Sequence, residues 1–306
     1  MKILVIGGGG QLGSKIIEQS RETHEIYATY LTNPPQLSPS KIFTVDKTDK
    51  SSIQSLVKKI KPDVVIDTAA IHNVDYCEIN KEQAHTVNVD GTKNIAEACN
   101  LIGAKMVFVS TDYVFKGKSG YYKETDVPFP VNYYGQSKLD GENAIKKVCA
   151  NYCIARTSVI YSWVSTQSTV TTSGKPLNFA MWANEKLSRG EQLNIVNDQY
   201  GSPTLADHIA QTLLKISEKD FRGLYHVAGK TRINRYDFVF RLAEKMGYDP
   251  ALIKSVSSSS LKQKAERPMD SSLNVAKIEG MLKTRMLSLD DALTFFRNQA
   301  MEGSSQ

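Results

Sequence analysis

A tyrosine and a lysine four positions apart, Tyr134 and Lys138, carry the most specific chemistry in this 306-residue sequence. Residues with this spacing lie on one face of a helix, so the phenol and the ammonium can meet at one point. A neighbouring ammonium favours the phenolate and lowers the pKa of tyrosine from about 10, which makes the phenol a usable proton donor. The same pair also occurs by chance on solvated helices. Ser110 and Thr111, at the end of an apolar run, favour the catalytic interpretation.

A glycine-rich turn directly follows the first apolar run, with glycines at Gly7, Gly10 and Gly13. Glycines at this spacing allow a tight turn, and they let backbone N–H groups at the start of a helix approach a pyrophosphate. The turn, with Gln11 and Leu12 before its last glycine, therefore predicts a dinucleotide site. A turn without a ligand is the alternative, but its place after an N-terminal strand favours cofactor binding.

The residues near the end of the second predicted strand indicate which dinucleotide fits. In folds that select NAD, an Asp or Glu about 20 residues beyond the glycines binds the ribose 2′-hydroxyl. The stretch 26–33 contains neither a carboxylate nor an arginine, and Thr29, Tyr30 and Thr32 can donate to a 2′-phosphate. The sequence thus favours NADP(H), with NAD(H) tolerated. Asp46, past the third strand, is placed either to meet the adenine or to cap a helix.

Strand and helix patterns alternate through the first half of the chain. Near-continuous apolar runs, among them 63–67 and 105–110, are separated by helical stretches such as 51–60 and 83–100. Buried strands that are joined by helices indicate a parallel sheet covered on both faces. We therefore expect an α/β fold with a Rossmann-type doubly wound parallel sheet.

Composition excludes several function classes. Lys and Arg number 38 against 32 Asp and Glu, a net charge of +6 with no basic block, so nucleic acid is not an expected partner. The apolar runs are far shorter than the roughly 20 residues that cross a bilayer, so a membrane is not one either. The four cysteines form no CxxC pair and no metal site is expected. A reducing, cytoplasmic setting fits best.

Longer motifs resemble those of the extended short-chain dehydrogenase/reductases and, within them, the dTDP-4-dehydrorhamnose reductases. The resemblance covers nearly the whole chain and rests on the stretches VSTDYVF (109–115), YKETD (122–126), NYYGQSKLDGE (132–142), NDQYGSPT (197–204) and RPMDSSL (267–273). It implies NAD(P)H-dependent reduction of a nucleotide-linked 4-keto-6-deoxysugar, dTDP-4-dehydrorhamnose to dTDP-L-rhamnose. The expected partner is the nucleotide-sugar substrate, and a homodimer is compatible with the resemblance.

The resemblance also implies roles for single residues. Thr111 matches the hydroxyl that hydrogen-bonds the substrate carbonyl, Tyr134 the catalytic tyrosine, and Lys138 the lysine that holds the nicotinamide ribose. Ala69 and Ala70 stand at the end of a segment where the family has Asn-Ala-Ala. They are expected to keep its backbone contact to the cofactor.

Substrate-binding residues follow from the same resemblance. Val74 and Asp75 match a loop that lines the sugar pocket, and Asp112 and Tyr113 follow the substrate-binding threonine. Arg267 resembles the residue that closes the nucleotide end of the site. An ion pair between domains is an equally weighted alternative for Arg267.

The resemblance divides the chain into two domains. Residues 1–160 are expected to form the NAD(P)-binding Rossmann domain, with segments near 193–201 and 224–227 returning to its sheet. Residues 161–306 mainly form a smaller α/β substrate-binding domain. The polar segment 162–176 replaces a short turn of related sequences. A lid over the sugar and an ordered loop in a partner interface are alternatives, and a disordered insertion, a surface loop, is the simplest interpretation of it.

A second function remains open at this stage. One branch that resembles this family consists of non-catalytic NADP-binding regulatory subunits, the beta subunits of methionine adenosyltransferase. The intact set of Thr111, Tyr134 and Lys138 favours the enzyme, because a purely regulatory protein has no chemical need for it.

Overall fold

The computed structural model describes residues 1–163 and 178–303. Most of the polar segment 162–176, for which a surface loop is expected, lies outside the described residues. Within the described ranges, no helix is both long and apolar enough to cross a bilayer.

Strands and helices alternate in the first half of the chain, as the apolar periodicity predicts. In chain order its elements are β1 (Lys2–Ile6), α1 (Gln11–Ser20), β2 (Glu25–Tyr30), β3 (Ile42–Thr44), α2 (Lys50–Ile60), β4 (Val64–Asp67), α3 (Val74–Ile79), α4 (Lys81–His85), α5 (Gly91–Ile102), β5 (Lys105–Thr111), α6 (Tyr133–Val148) and β6 (Tyr152–Thr157). The second half contributes β7 (Ile160–Tyr161), α7 (Phe179–Ser188), β8 (Leu193–Val196), β9 (Tyr200–Gly201), β10 (Thr204–Leu205), α8 (Ala206–Glu218), β11 (Gly223–His226), β12 (Ile233–Asn234), α9 (Arg235–Met246), β13 (Ile253–Val256), α10 (Ala276–Leu282) and α11 (Leu289–Gly303).

Seven strands form one parallel sheet in the order β11-β6-β5-β4-β1-β2-β3. Chain order runs outward in both directions from the β1/β4 pair, which is the arrangement of a doubly wound sheet. The predicted Rossmann-type α/β fold is therefore confirmed.

Successive side chains of a strand point to opposite faces, and β1 shows how this builds two cores. Ile3 and Val5 pack on one face with Ile16 of α1 and Leu213 of α8. Leu4 packs on the other face, in a core to which α2, α5 and α6 also contribute. Because helices cover both faces, the strands are apolar along nearly their whole length.

The helix expected over residues 83–100 is interrupted. α4 is followed by a wider π-helical turn, Thr86–Asp90, before α5 begins. Asn88 lies in this turn, where its Oδ1 accepts from the Ile71 amide at 2.9 Å and its Nδ2 donates to the Ile71 carbonyl at 3.0 Å. The irregular turn thus ties this helical region to the backbone that follows β4.

The two segments expected to return to the sheet behave differently. Gly223–His226 pairs with β6 at the edge of the main sheet. Leu193–Val196 does not join it and pairs instead with Ile253–Val256 in a separate two-stranded sheet, which corrects that part of the expectation. The reason is a third core in the second half, where Leu193 and Ile195 pack with residues of α7, α9 and α11.

Candidate functional site

The carboxyl ends of β1 and β4 border the crevice in which doubly wound sheets bind ligands. Gly7 follows β1 directly and has a φ of +82°, a conformation that favours glycine. A Cβ on Gly7 would lie 3.0 Å from the Cβ of Ala69, which follows β4. Two backbone segments therefore meet at this crevice, the glycine turn (7–13) and the segment 68–70.

The glycine turn fits the pyrophosphate of a dinucleotide. α1 has Gly10 as its N-cap, and no side chain from the described part of the chain caps it, so its first N–H groups and its dipole favour an anion. A Cβ on Gly13 would lie 2.3 Å from the Gly7 carbonyl oxygen, whereas a Cβ on Gly10 would approach that oxygen only to 3.3 Å. Leu12 packs in the core beneath. The buried Nε2 of Gln11 has no hydrogen-bond partner among the described residues.

Two residues expected near the adenosine end have partners within the chain. Thr29 is 1% exposed, and its hydroxyl accepts from the Gly7 amide at 3.3 Å. This differs from the expectation that Thr29 donates to a 2′-phosphate, because its side chain points inward from β2 and supports the glycine turn. Asp46 is exposed, and its Oδ1 accepts from the amide (2.9 Å) and the hydroxyl (2.8 Å) of Thr48. The N-cap of α2 is Asp49 instead.

The segment 68–70 is held by two residues that the sequence patterns did not identify, Lys47 and Asp67. Lys47 Nζ donates to Asp67 Oδ2 at 2.6 Å and to the Ala69 carbonyl at 2.9 Å. Asp67 Oδ1 accepts from the Ala69 amide at 3.1 Å. Both polar backbone groups of Ala69 therefore have partners within the chain, and Ala70 follows in a half-buried position. The sequence does contain one signal for this pair. Asp67 ends a buried apolar strand, and a buried carboxylate needs a partner.

Close packing of α6 against the end of β5 brings Thr111 and Tyr134 together. A Cβ on Gly135 would lie only 2.1 Å from the Tyr113 carbonyl oxygen, so the helix can approach this closely only with glycine there. The rings of Tyr113 and Tyr134 meet edge to face with centroids 5.9 Å apart. The Thr111 side chain lies close enough to the Tyr134 phenol to act on its pKa.

The ionisation of Tyr134 and Lys138 is controlled mainly by burial. Burial raises the pKa of Tyr134 above its usual value, although the neighbouring Thr111 side chain acts in the opposite direction. Burial, followed by the charge of Lys47, lowers the pKa of Lys138 to about 7. Lys138 Nζ lies 4.0 Å from the centroid of the Phe108 ring. The expectation that the ammonium lowers the phenol pKa is therefore wrong, because loss of solvation raises it and the phenol is protonated at neutral pH.

The carboxylate of Asp112 is engaged by the chain itself. It is 2% exposed and accepts from the hydroxyls of Thr111 (3.0 Å), Ser158 (2.7 Å) and Ser271 (2.5 Å). Burial raises the pKa of Asp112, whereas these hydrogen bonds lower it. Asp112, expected to contact substrate, therefore connects Thr111 to two segments of the second half.

Arg267 and Asp75, both expected at the substrate, bind each other. Arg267 Nη2 donates to Asp75 Oδ1 at 2.9 Å, and Nη1 donates to the Ala265 carbonyl at 2.7 Å. The Ala265 amide donates to the same Asp75 oxygen at 3.1 Å. The ion pair considered as the alternative for Arg267 is present, and it joins the start of α3, at Val74, to the segment before residue 270.

A cavity lies beside Tyr113 and Ser271, on the side of the site that faces the second half. Its wall combines aromatic rings with a guanidinium, contributed by Phe179, Tyr200, Phe238 and Arg235. Apolar walls with a few charged groups are typical of sites for small organic ligands. Sequence patterns did not identify these four residues, because they lie on three elements far apart in the sequence, α7, β9 and α9.

Comparison with known proteins gives matches over nearly the full chain. The family model described as the RmlD substrate binding domain matches residues 1–300. The chain is 32% identical over 295 residues to the probable low-salt glycan biosynthesis reductase Agl14 of Haloferax volcanii, with 96% of each chain covered. It is 32% identical over 290 residues to the dTDP-4-dehydrorhamnose reductase of Escherichia coli, with 91% of each covered. A crystal structure of dTDP-4-dehydrorhamnose reductase from Bacillus anthracis in complex with NADP matches with a TM-score of 0.87 at 28% identity, covering 98% of this chain and 100% of that one.

Proposed function

Since the chain belongs to the dTDP-4-dehydrorhamnose reductase family, we propose that it catalyses NAD(P)H-dependent reduction of a nucleotide-linked 4-keto-6-deoxysugar. The proposed substrate is dTDP-4-dehydrorhamnose and the product dTDP-L-rhamnose. NADP(H) is the preferred cofactor and NAD(H) is tolerated, because no carboxylate ends β2. The observation that carries the proposal is the closeness of Thr111 and Tyr134 at the carboxyl ends of the strands, where the glycine turn also lies.

Ketone reduction requires a hydride at carbon and a proton at the developing alkoxide. Bound NADPH supplies the hydride. Tyr134 supplies the proton, because burial keeps its phenol protonated at neutral pH. Thr111, beside that phenol, stabilises the substrate oxygen as charge develops. Lys138, one turn further along α6, holds the nicotinamide ribose.

The substrate occupies the side of the site that faces the second half of the chain. In this proposal the sugar lies against Val74 and Tyr113, with the Asp75–Arg267 pair closing one side. The nucleotide extends towards the second half of the chain, where Arg235 offers a positive charge near the diphosphate. The cavity beside Tyr113 has a volume of only about 20 Å³, so the nucleotide lies outside it, against the aromatic rings at its rim.

A non-catalytic NADP-binding regulatory subunit is the second candidate function, and it is not favoured. Regulation requires a bound dinucleotide but not a proton donor at a ketone. The packing of Gly135 against Tyr113 keeps Tyr134 next to Thr111, an arrangement that only chemistry at this point explains.

We further propose two structural units and a cellular setting. Residues 1–160, completed by β11, form the cofactor-binding unit, and residues 161–306 mainly form the substrate-binding unit. The separate apolar core of the second half supports this division. A cytoplasmic location and a homodimer complete the proposal, and size-exclusion chromatography with light scattering measures the second.

The test is turnover of purified protein with NADPH and dTDP-4-dehydrorhamnose, followed at the absorbance band of reduced nicotinamide. We expect sugar-dependent loss of that band and the appearance of dTDP-L-rhamnose by chromatography. Tight NADPH binding without turnover of any 4-keto sugar nucleotide would establish the regulatory function instead. The absence of NADPH binding would refute both candidate functions.

A further inference from the structure

Lys47 is a buried cation with a complete set of acceptors. Its side chain is 5% exposed and that of Asp67 is 0% exposed. Lys47 Nζ donates to Asp67 Oδ2 (2.6 Å), to the Ala69 carbonyl (2.9 Å) and to the Thr92 hydroxyl (3.1 Å). An ammonium has three protons, and each has an acceptor here, so the lysine is fixed in place.

Asp67 and Lys47 together control the backbone at Ala69. Asp67 Oδ1 accepts from the Ala69 amide at 3.1 Å, while Lys47 donates to the carbonyl of the same residue. The neighbouring Thr68 hydroxyl donates to the Ile6 carbonyl at 2.8 Å, which ties the segment 68–70 to the end of β1. Ala69 also lies against Gly7 of the glycine turn. The position of this ligand-facing segment therefore depends on the buried pair.

The surrounding helices are built to accommodate the lysine. A Cβ on Gly91 would lie 2.8 Å from Lys47 Cγ, so glycine leaves the space through which the lysine stem passes. Asn94 Nδ2 donates to the carbonyls of Lys47 (3.2 Å) and Thr48 (3.1 Å), which holds the backbone on either side. A buried ion pair is seldom more stabilising than apolar residues of the same volume, so global stability does not explain this arrangement.

We propose that the Lys47–Asp67 pair positions the segment 68–70 against the dinucleotide, which makes Lys47 and Asp67 positioning residues for cofactor binding. This inference rests on the proposed function, in which NADP(H) occupies the crevice beside the glycine turn. At Lys138 the two charges oppose each other, because that of Lys47 lowers the pKa and that of Asp67 raises it. The contacts of the pair with the segment 68–70 are therefore its main effect on the cofactor site.

The test compares NADPH dissociation constants, measured by fluorescence titration without sugar substrate. Lys47→Met leaves Asp67 unpaired and frees the Ala69 carbonyl, so we expect affinity to fall about tenfold. The KM for NADPH should rise in parallel while the KM for the sugar nucleotide changes little. In Lys47→Met/Asp67→Asn the buried charge is removed and the amide oxygen still accepts from Ala69, so most of the affinity should return.

Lys105 provides the matched control. It is 6% exposed and donates to the carbonyls of Ile216 (2.6 Å) and Lys219 (2.7 Å), at the opposite end of β5 from Thr111. Lys105→Met should lower stability and leave NADPH affinity at the wild-type value. Wild-type affinity in Lys47→Met, or a double variant no tighter than the single one, would overturn the inference. A wild-type protein that binds no NADPH would instead overturn the proposed function, so the two failures are distinguishable.

Discussion

Tyr134 and Lys138 lie on one face of α6, yet the phenol of Tyr134 and the ammonium of Lys138 have different surroundings. The phenol is next to Thr111, and the ammonium lies over the ring of Phe108. Neither group retains the solvation of its free form, so the phenol keeps its proton and the lysine loses part of its charge near pH 7. The protein without ligand thus already presents the acid in the state that ketone reduction consumes.

Replacing Tyr134 by phenylalanine removes the proposed proton donor and little else. We expect Tyr134→Phe to lower kcat on the order of 10²–10⁴-fold, the usual contribution of a positioned acid. NADPH affinity should stay nearly unchanged, because the ring and its packing on Tyr113 remain. Steady-state turnover and fluorescence titration measure the two effects separately.

Tyr133 is the control for this experiment. Its ring lies 5.5 Å from the Lys81 ammonium, and its amide donates to Glu78 at 2.9 Å, away from Thr111. Tyr133→Phe should therefore retain turnover. Wild-type turnover in Tyr134→Phe, or inactivity of Tyr133→Phe alone, contradicts the assignment of the acid.

The sequence was sufficient to find Tyr134 and Lys138 but not Lys47. A four-residue spacing on a helix is a local pattern, so the pair can be predicted from the sequence. Lys47 stands among polar residues after a short strand, where a lysine ordinarily faces solvent. Its burial depends on Gly91 and Asp67, which lie 44 and 20 positions away, and no local pattern records those contacts.

At the scale of elements, the glycine turn combines two different requirements. Gly13 is needed by the protein itself, because its Cα packs against the carbonyl of Gly7. Gly10 has an ordinary φ of −80°, and a Cβ there would meet the Gly7 carbonyl oxygen at 3.3 Å, which a shift of a few tenths of an ångström relieves. The reason for glycine at position 10 is therefore the ligand rather than the fold.

Gly10→Val should fold and fail to bind the cofactor. The new Cβ contacts the Gly7 carbonyl oxygen at 3.3 Å, a small misfit, whereas the side chain occupies the space in front of the first N–H groups of α1. We expect a thermal unfolding midpoint close to wild type and loss of NADPH binding by fluorescence titration. Gly280→Val, at an exposed helical glycine with no atom within 4 Å of its Cβ, is the control and should bind normally. Unchanged affinity in Gly10→Val would rule out the turn as the pyrophosphate site.

Helices and strands with a clear periodicity of apolar residues could be predicted from the sequence, whereas irregular elements could not. The apolar runs predicted at 63–67 and 105–110 agree with β4 and β5 to within one residue at each end. The π-helical turn at Thr86–Asp90 depends on Asn88 reaching Ile71, a contact that a helical periodicity cannot indicate. β9, β10 and β12 are two residues long, too short to show alternation.

At the scale of the whole molecule, two buried histidines make stability depend on pH. Burial, followed by the charge of Arg156, lowers the pKa of His226 from 6.5 to about 3. Burial and the charge of Lys215 lower that of His208 from 6.5 to about 4. Below pH 6.5 the unfolded chain therefore binds protons that the folded chain excludes, and the free energy of unfolding falls as the pH decreases.

Urea denaturation between pH 8 and pH 4.5 should show this loss below about pH 6.5, and these histidines should contribute no pH dependence above it. Each excluded proton gives a slope of up to about 1.4 kcal/mol per pH unit. In His226→Gln the side chain can still donate to the Asn274 carbonyl, which His226 Nδ1 approaches to 3.2 Å, but it cannot titrate. The free energy of unfolding of this variant should change less steeply with pH, by the contribution of about one proton. An identical slope in both proteins would show that His226 is already protonated in the folded state.

The placement of β11 decides how the polypeptide can be dissected. Residues 223–226 come from the second half yet pair with residues 153–156 of β6 at the edge of the sheet. A truncated chain that stops near residue 160 would leave these β6 amides and carbonyls without partners. An unpaired strand edge can pair with strands of other chains, which leads to aggregation. The shortest recombinant fragment that keeps the sheet intact must therefore extend through His226.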